Sequence, residues 1–131
     1  MICNSIGCKK WDIGNFIRTL LLDDDEIRER VGNHIYPIVA AENTVGDFIV
    51  YSRQNYSKSI DKMGVYEDIA KEAVVVVSDN YDRSIELAEL IDNALTGTHR
   101  SGECKFDIML DDSTETFDDN KYIQTLLFTI K

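Results

Sequence analysis

Carboxylates are the residues of this chain with the most evident capacity for chemistry. Two clusters stand out: Asp23, Asp24, Asp25 and Glu26, and a later stretch holding Asp111, Asp112, Glu115, Asp118 and Asp119. Dense carboxylates can hold a hard cation through oxygen. Neither cluster has the alternating acids, central glycine and closing glutamate of an EF-hand loop, so both read as solvated charge. Paired carboxylates for glycoside chemistry stay open, because folding sets their separation. Cys104 and His99 could form a nucleophile–base pair. The alternation Cys104, Phe106, Ile108, Leu110 instead puts Cys104 on an apolar face, as a buried and inert thiol. His34 opens a short extended piece and reads as a surface or capping histidine. The sequence has no Gly-rich phosphate loop and no Gly-x-Ser-x-Gly elbow. The expectation is a protein without catalytic residues, cofactor or metal.

Bulk properties narrow the classes further. The 131 residues, 44% of them apolar, suit one folded domain over 1–131. A net charge of −10 argues against a general nucleic-acid-binding surface. Cys3, Cys8 and Cys104 are an odd set without regular spacing, and read as ordinary thiols of a reducing cytoplasm. No run approaches the ~20 apolar residues of a membrane span. Lys9, Lys10 and Asp12 interrupt any signal-peptide core. A soluble chain, intracellular where it is made, is expected.

The elements that would position these residues follow from periodicity. Residues 1–10 show no period and read as a loose segment. Ile13, Phe16, Ile17, Leu20 and Leu21 form a helical stripe. Asp23–Glu26 break it and suit the positive end of a second short helix holding Ile27 and Val31, ended by Gly32. His34–Val39 is extended, and Pro37 confines it to an edge or bend. Ala40–Asp47 is a loop. Phe48-Ile49-Val50-Tyr51 begins a strand that runs into Ser52–Ser59, turns at Asp61-Lys62-Met63-Gly64 and returns as Val65–Asp79.

Val74–Val77 suit a strand buried on both faces. Asp79 and Asn80 can cap the next helix. Tyr81, Ile85, Ala88, Ile91 and Leu95 then share one helical face, with Glu86, Glu89, Asp92 and Asn93 toward water and Gly97 as terminator. Two strands close the chain, Cys104–Leu110 and Tyr122–Ile130, joined by an acidic loop, Asp111–Asn120. The last strand is apolar on both faces and reads as interior. The order α-α-β-β-β-α-β-β predicts a compact α+β domain, with a mostly antiparallel sheet of about four to five strands packed by helices.

The hairpin tip offers a different kind of signal. Tyr51, Tyr56 and Tyr66 flank Arg53, Lys58 and Lys62, and Tyr and Arg are enriched where proteins meet. Ordering a long hairpin also costs entropy that a partner would offset. Candidate partner-contact residues are Tyr56, Lys58, Lys62 and Tyr66 at the tip, and Asp111, Asp112, Asp118 and Asp119 in the acidic stretch.

Three passages carry a family resemblance. They are the apolar first helix leading to Val31-Gly32-Asn33-His34-Ile35-Tyr36-Pro37; the strand Phe48-Ile49-Val50-Tyr51; and Val74–Asp79 with Tyr81, Leu87-Ala88, Ile91 and Ala94-Leu95-Thr96-Gly97. Together, from about Trp11 to Gly97, they resemble the small tail-completion, or tail-terminator-like, proteins of tailed bacteriophages and prophages. Asp47 departs from the pattern, since members often carry a proline there, and Cys3 and Cys8 lie outside it. The resemblance implies a structural virion protein at the head-proximal end of the tail, assembled in the host cytoplasm. It implies a ring, commonly hexameric, that caps the tail tube and meets the head connector. Its partners would be itself, the tail tube protein and the connector protein. DNA would only pass through the lumen, where negative charge prevents sticking. No catalytic residues transfer. The alternative is a small dimeric ligand-binding or regulatory α+β domain, which would show a discrete pocket.

Overall fold

The computed structural model describes residues 10–60, 64 and 66–131. Helix α1 spans Ile13–Asp23 and buries Ile13, Ile17 and Leu21. Asp24 ends it and caps α2 (Asp25–Val31), accepting a hydrogen bond from the Ile27 backbone N–H at 3.0 Å. Gly32 follows at φ +60, a conformation that costs a glycine little. Strand β1 (Ile35–Pro37) then pairs parallel with β2 (Phe48–Ile60). β2 and β3 (Tyr66–Ser78) form the expected long antiparallel hairpin, with a bulge between Arg53 and Asn55. The turn expected at Asp61–Gly64 falls largely outside the described residues.

Helix α3 (Tyr81–Leu95) is capped by Asn80, whose side chain accepts from the Arg83 N–H at 3.0 Å. Asn80→Ala should lower stability by about 1 kcal/mol, read as a fall in melting temperature of about 4 °C. The helix is rotated from its expected face. It buries Ser84, Leu87, Ile91 and Leu95, while Tyr81 and Ile85 stay exposed. The cause is pairing from outside the helix. The Tyr81 hydroxyl donates to Glu115, and Ser84 Oγ accepts from buried Gln124.

Three more strands follow: β4 (Gly97–Ser101), β5 (Cys104–Asp118) and β6 (Lys121–Ile130). Among the described residues the sheet therefore has six strands, in the order β1-β2-β3-β6-β5-β4, and not four to five. β4 is short and polar, without an apolar alternation to announce it; it forms by pairing with β5. The acidic stretch is the second correction. It is strand through Asp118, not a loop, and only Asp119 and Asn120 make the turn, at φ +50 and +61. Positive φ at both central residues suits a type I′ hairpin, which Asp and Asn tolerate.

β6 is interior, between β3 and β5, as its two apolar faces require. The three described helices share one core with Ile49, Val74, Val76, Phe106, Leu126 and Phe128. Val75 and Val77 point the other way and are half-buried, so the valine run is fully buried on one face only. Asp47 sits where the first turn of α3 meets the strands. It accepts from Ser78 Oγ at 2.9 Å and pairs with Arg83 at 3.2 Å.

Candidate contact surfaces

The residues nominated from sequence lie in two separate places. β3 runs from the hairpin tip at Tyr66 to Ser78, and Ser78 stands level with Tyr122 and Phe117. The tip and the Asp118–Asp119 turn are therefore at opposite ends of the sheet. At the tip, Lys58 is exposed, with its ammonium 5.5 Å from the Tyr56 ring centre. Lys62 and the Tyr66 side chain lie outside the described residues. Tyr56 is half-buried, and its hydroxyl donates to Asp68 at 2.6 Å.

The acidic residues line an open edge. β4 covers β5 only from Cys104 to Ile108, so among the described residues no strand lies on the outer side of β5 beyond that point. Asp111, Asp112, Asp118 and Asp119 are all exposed. Asp111 accepts from Thr129 Oγ1, and Asp112 lies at a bulge, accepting from the Ser113 N–H at 2.9 Å. Charge along an unpaired edge opposes edge-to-edge aggregation.

Candidate chemistry is arranged otherwise than the sequence suggested. Cys104 is disulfide-bonded, which corrects the expected free thiol; its partner lies outside the described residues. His99 bonds the Leu95 carbonyl at 2.7 Å and meets the Phe16 ring edge-on. His34 is exposed and stacks on Tyr36. Among the described residues no three His, Cys, Asp or Glu side chains converge as a metal site would require. No helix among them is long and apolar enough to cross a membrane.

Two buried ionic features were invisible in the sequence. The first is Lys10, 5% exposed, whose ammonium bonds Asp68 at 2.6 Å and lies 5.7 Å from the Phe106 ring centre. Burial pushes the Asp68 carboxyl up. Hydrogen bonds from Lys10 and Tyr56, with the charges of Lys10 and Lys58, outweigh it and hold Asp68 below its ordinary value.

The second is Glu72, four residues on along β3 and 1% exposed. Neither of its oxygens has a hydrogen-bond partner among the described residues. Burial pushes its pKa up to about 7, and the Arg53 charge only partly opposes this. Arg53 stands opposite Glu72 in the sheet register, yet donates to the Trp11 carbonyl at 2.8 Å and stacks on the Trp11 ring. Gly14 lets α1 approach closely: a Cβ there would stand 3.0 Å from the Tyr51 ring and 3.5 Å from Glu72 Oε2. An isolated glutamate within an alternating strand gives no sequence signal of burial; only the packing of α1 over β3 creates it.

This arrangement defines an α+β fold: one mixed six-stranded sheet with its helices gathered on a single core. No family model and no curated protein matches the sequence. Among solved structures the chain is similar to one described as "Virion of native gene transfer agent (GTA) particle". The two share 15% identity and a TM-score of 0.74, over 87% of this chain and 89% of that one.

Proposed function

We propose that this chain is a structural protein of a phage-like virion, without enzymatic activity. The observation that carries the reading is the shared fold, across nearly the whole of both chains, with a chain of a gene transfer agent particle. The resemblance of the Trp11–Gly97 passages to tail-completion proteins supports a finer version. In that version the chain forms a ring of about six copies that completes the tail tube at its head-proximal end and meets the connector. Net charge of −10 suits a ring through which DNA passes without adhering. The exposed acidic edge of β5 and Lys58 at the hairpin supply unlike surfaces, as head-to-tail contact requires.

Negative-stain electron microscopy of the purified chain at high concentration, with light-scattering mass on the same sample, tests this. Rings of about six copies with a central hole are expected. A stable dimer without rings would overturn the ring and favour a ligand-sensing domain.

A further inference from the structure

The two sides of the sheet carry opposite unfinished chemistry. On the β1 side, a cleft of about 440 Å³ opens between the start of α1, the end of β1 and β2. Glu72 lies in its wall, both oxygens without a partner among the described residues. Trp11 and Ile38 line the same cleft and are 60% and 76% exposed. Ile38 is the centre of a tight turn closed by the Val39 N–H on the Pro37 carbonyl at 2.6 Å, and sits at φ +67. A β-branched residue rarely adopts that conformation. A strained, exposed isoleucine beside a buried orphan carboxylate marks a surface that something else completes.

On the far side, the edge strand β4 carries Arg100, directly across from Lys105 on β5. Both are exposed, and neither side chain has a partner among the described residues. Like charges held opposite each other destabilise an isolated sheet. Among the described residues no strand pairs with the outer side of β4, an edge that invites cover. Among the described residues there are thus unpartnered bases at one sheet edge and an unpartnered buried acid near the other.

We infer that the Glu72 cleft receives Arg100 from the β4 edge of a second copy of this chain, with Lys105 beside it at the rim. The inference rests on the assembly reading above. A guanidinium presents parallel donors that match two free carboxylate oxygens. Arg53 does not fill that role, because Trp11 holds it. The Glu72 oxygens are sealed in the isolated chain, with Glu72 Oε2 and the Tyr51 ring both against Gly14 of α1, so entry requires these neighbours to part. Trp11 and Ile38 then bury their apolar surface against the incoming edge. The contact joins unlike faces, so repetition gives a ring if the rotation closes.

Sedimentation velocity across a concentration series at pH 8 tests it, using the full wild-type chain, Arg100→Glu/Lys105→Glu, Glu72→Gln and the combined variant. Circular dichroism checks that each is folded. Wild type is expected to associate. Arg100→Glu/Lys105→Glu should need about tenfold more protein to do so, or fail altogether. Glu72→Gln should weaken association too, and the combined variant should be no worse than the charge reversal alone. Association of Arg100→Glu/Lys105→Glu at the wild-type concentration would overturn this contact and leave the virion reading standing. Strictly additive effects would overturn the pairing of Glu72 with that edge. A wild-type chain that stays monomeric throughout would overturn both this contact and the self-assembling ring.

Discussion

Glu72→Gln should stabilise the isolated chain by about 3 kcal/mol at pH 8 and by almost nothing at pH 4. Glutamine keeps the volume of glutamate and removes the charge, exchanging one acceptor oxygen for an amide NH2. The folded carboxyl has a pKa of about 7 against an ordinary 4.5. The folded state therefore binds the proton more tightly than the unfolded one. Below about pH 4.5 the group is protonated in both states and contributes no penalty. Between 4.5 and about 7 wild-type stability falls as pH rises, and above about 7 the whole penalty is present. Urea titrations of both proteins at pH 4 and pH 8 would show the difference opening with pH. In melting temperature it corresponds to about 10 °C at pH 8. Equal stability of the two proteins at pH 8 would mean that Glu72 has found a partner within the folded chain. A group retained against its own stability is what a contact surface would look like before its partner arrives.

Asp68→Ala should have an effect of similar or larger size and opposite sign, a loss of about 3–5 kcal/mol. It would strand the Lys10 ammonium, whose side chain is 6% exposed, without its counter-charge. It would also take the acceptor from the Tyr56 hydroxyl. Replacing both ions, as Lys10→Met/Asp68→Leu, should recover much of the loss, because an apolar pair needs no desolvation. Chemical denaturation of the single and double variants separates the cases. A double variant no better than Asp68→Ala would show that packing around Asp68, and not the stranded charge, sets the loss. The pH dependence runs opposite to that of Glu72. Asp68 is held below its ordinary value, so its stabilisation is complete above the ordinary carboxylate range and is lost as pH falls through the folded value.

The same strand thus carries two acids with contrary behaviour, and nothing local distinguishes them. Asp68 and Glu72 are four residues apart in one alternating pattern. Asp68 meets Lys10, 58 residues earlier in the chain, whereas Glu72 lies under the first turn of α1 and meets no donor among the described residues. The acidic stretch of β5 departs from the expected loop for a related reason. Both faces of Asp111–Asp118 are exposed, so no apolar alternation marks it as strand, and only its ladder with β6 holds it extended. The rotation of α3 has the same origin, since Ser84 and Tyr81 are oriented by Gln124 and Glu115 from other strands.

What the sequence determined by itself was the set of elements that short-range physics controls. Apolar spacing placed α1, α2 and α3; the acids Asp23–Glu26 and the pair Asp79–Asn80 marked the starts of α2 and α3; Pro37 confined β1 to an edge or bend; two apolar faces put β6 inside the sheet. Those signals work because caps, turns and amphipathic stripes act over a few residues. The tertiary structure alone decided the short polar strand β4, the open acidic edge, the Lys10–Asp68 bridge and the isolation of Glu72. Each depends on which distant residue the register brings opposite, and a carboxylate is a solvated charge, a bridge or an orphan according to that neighbour.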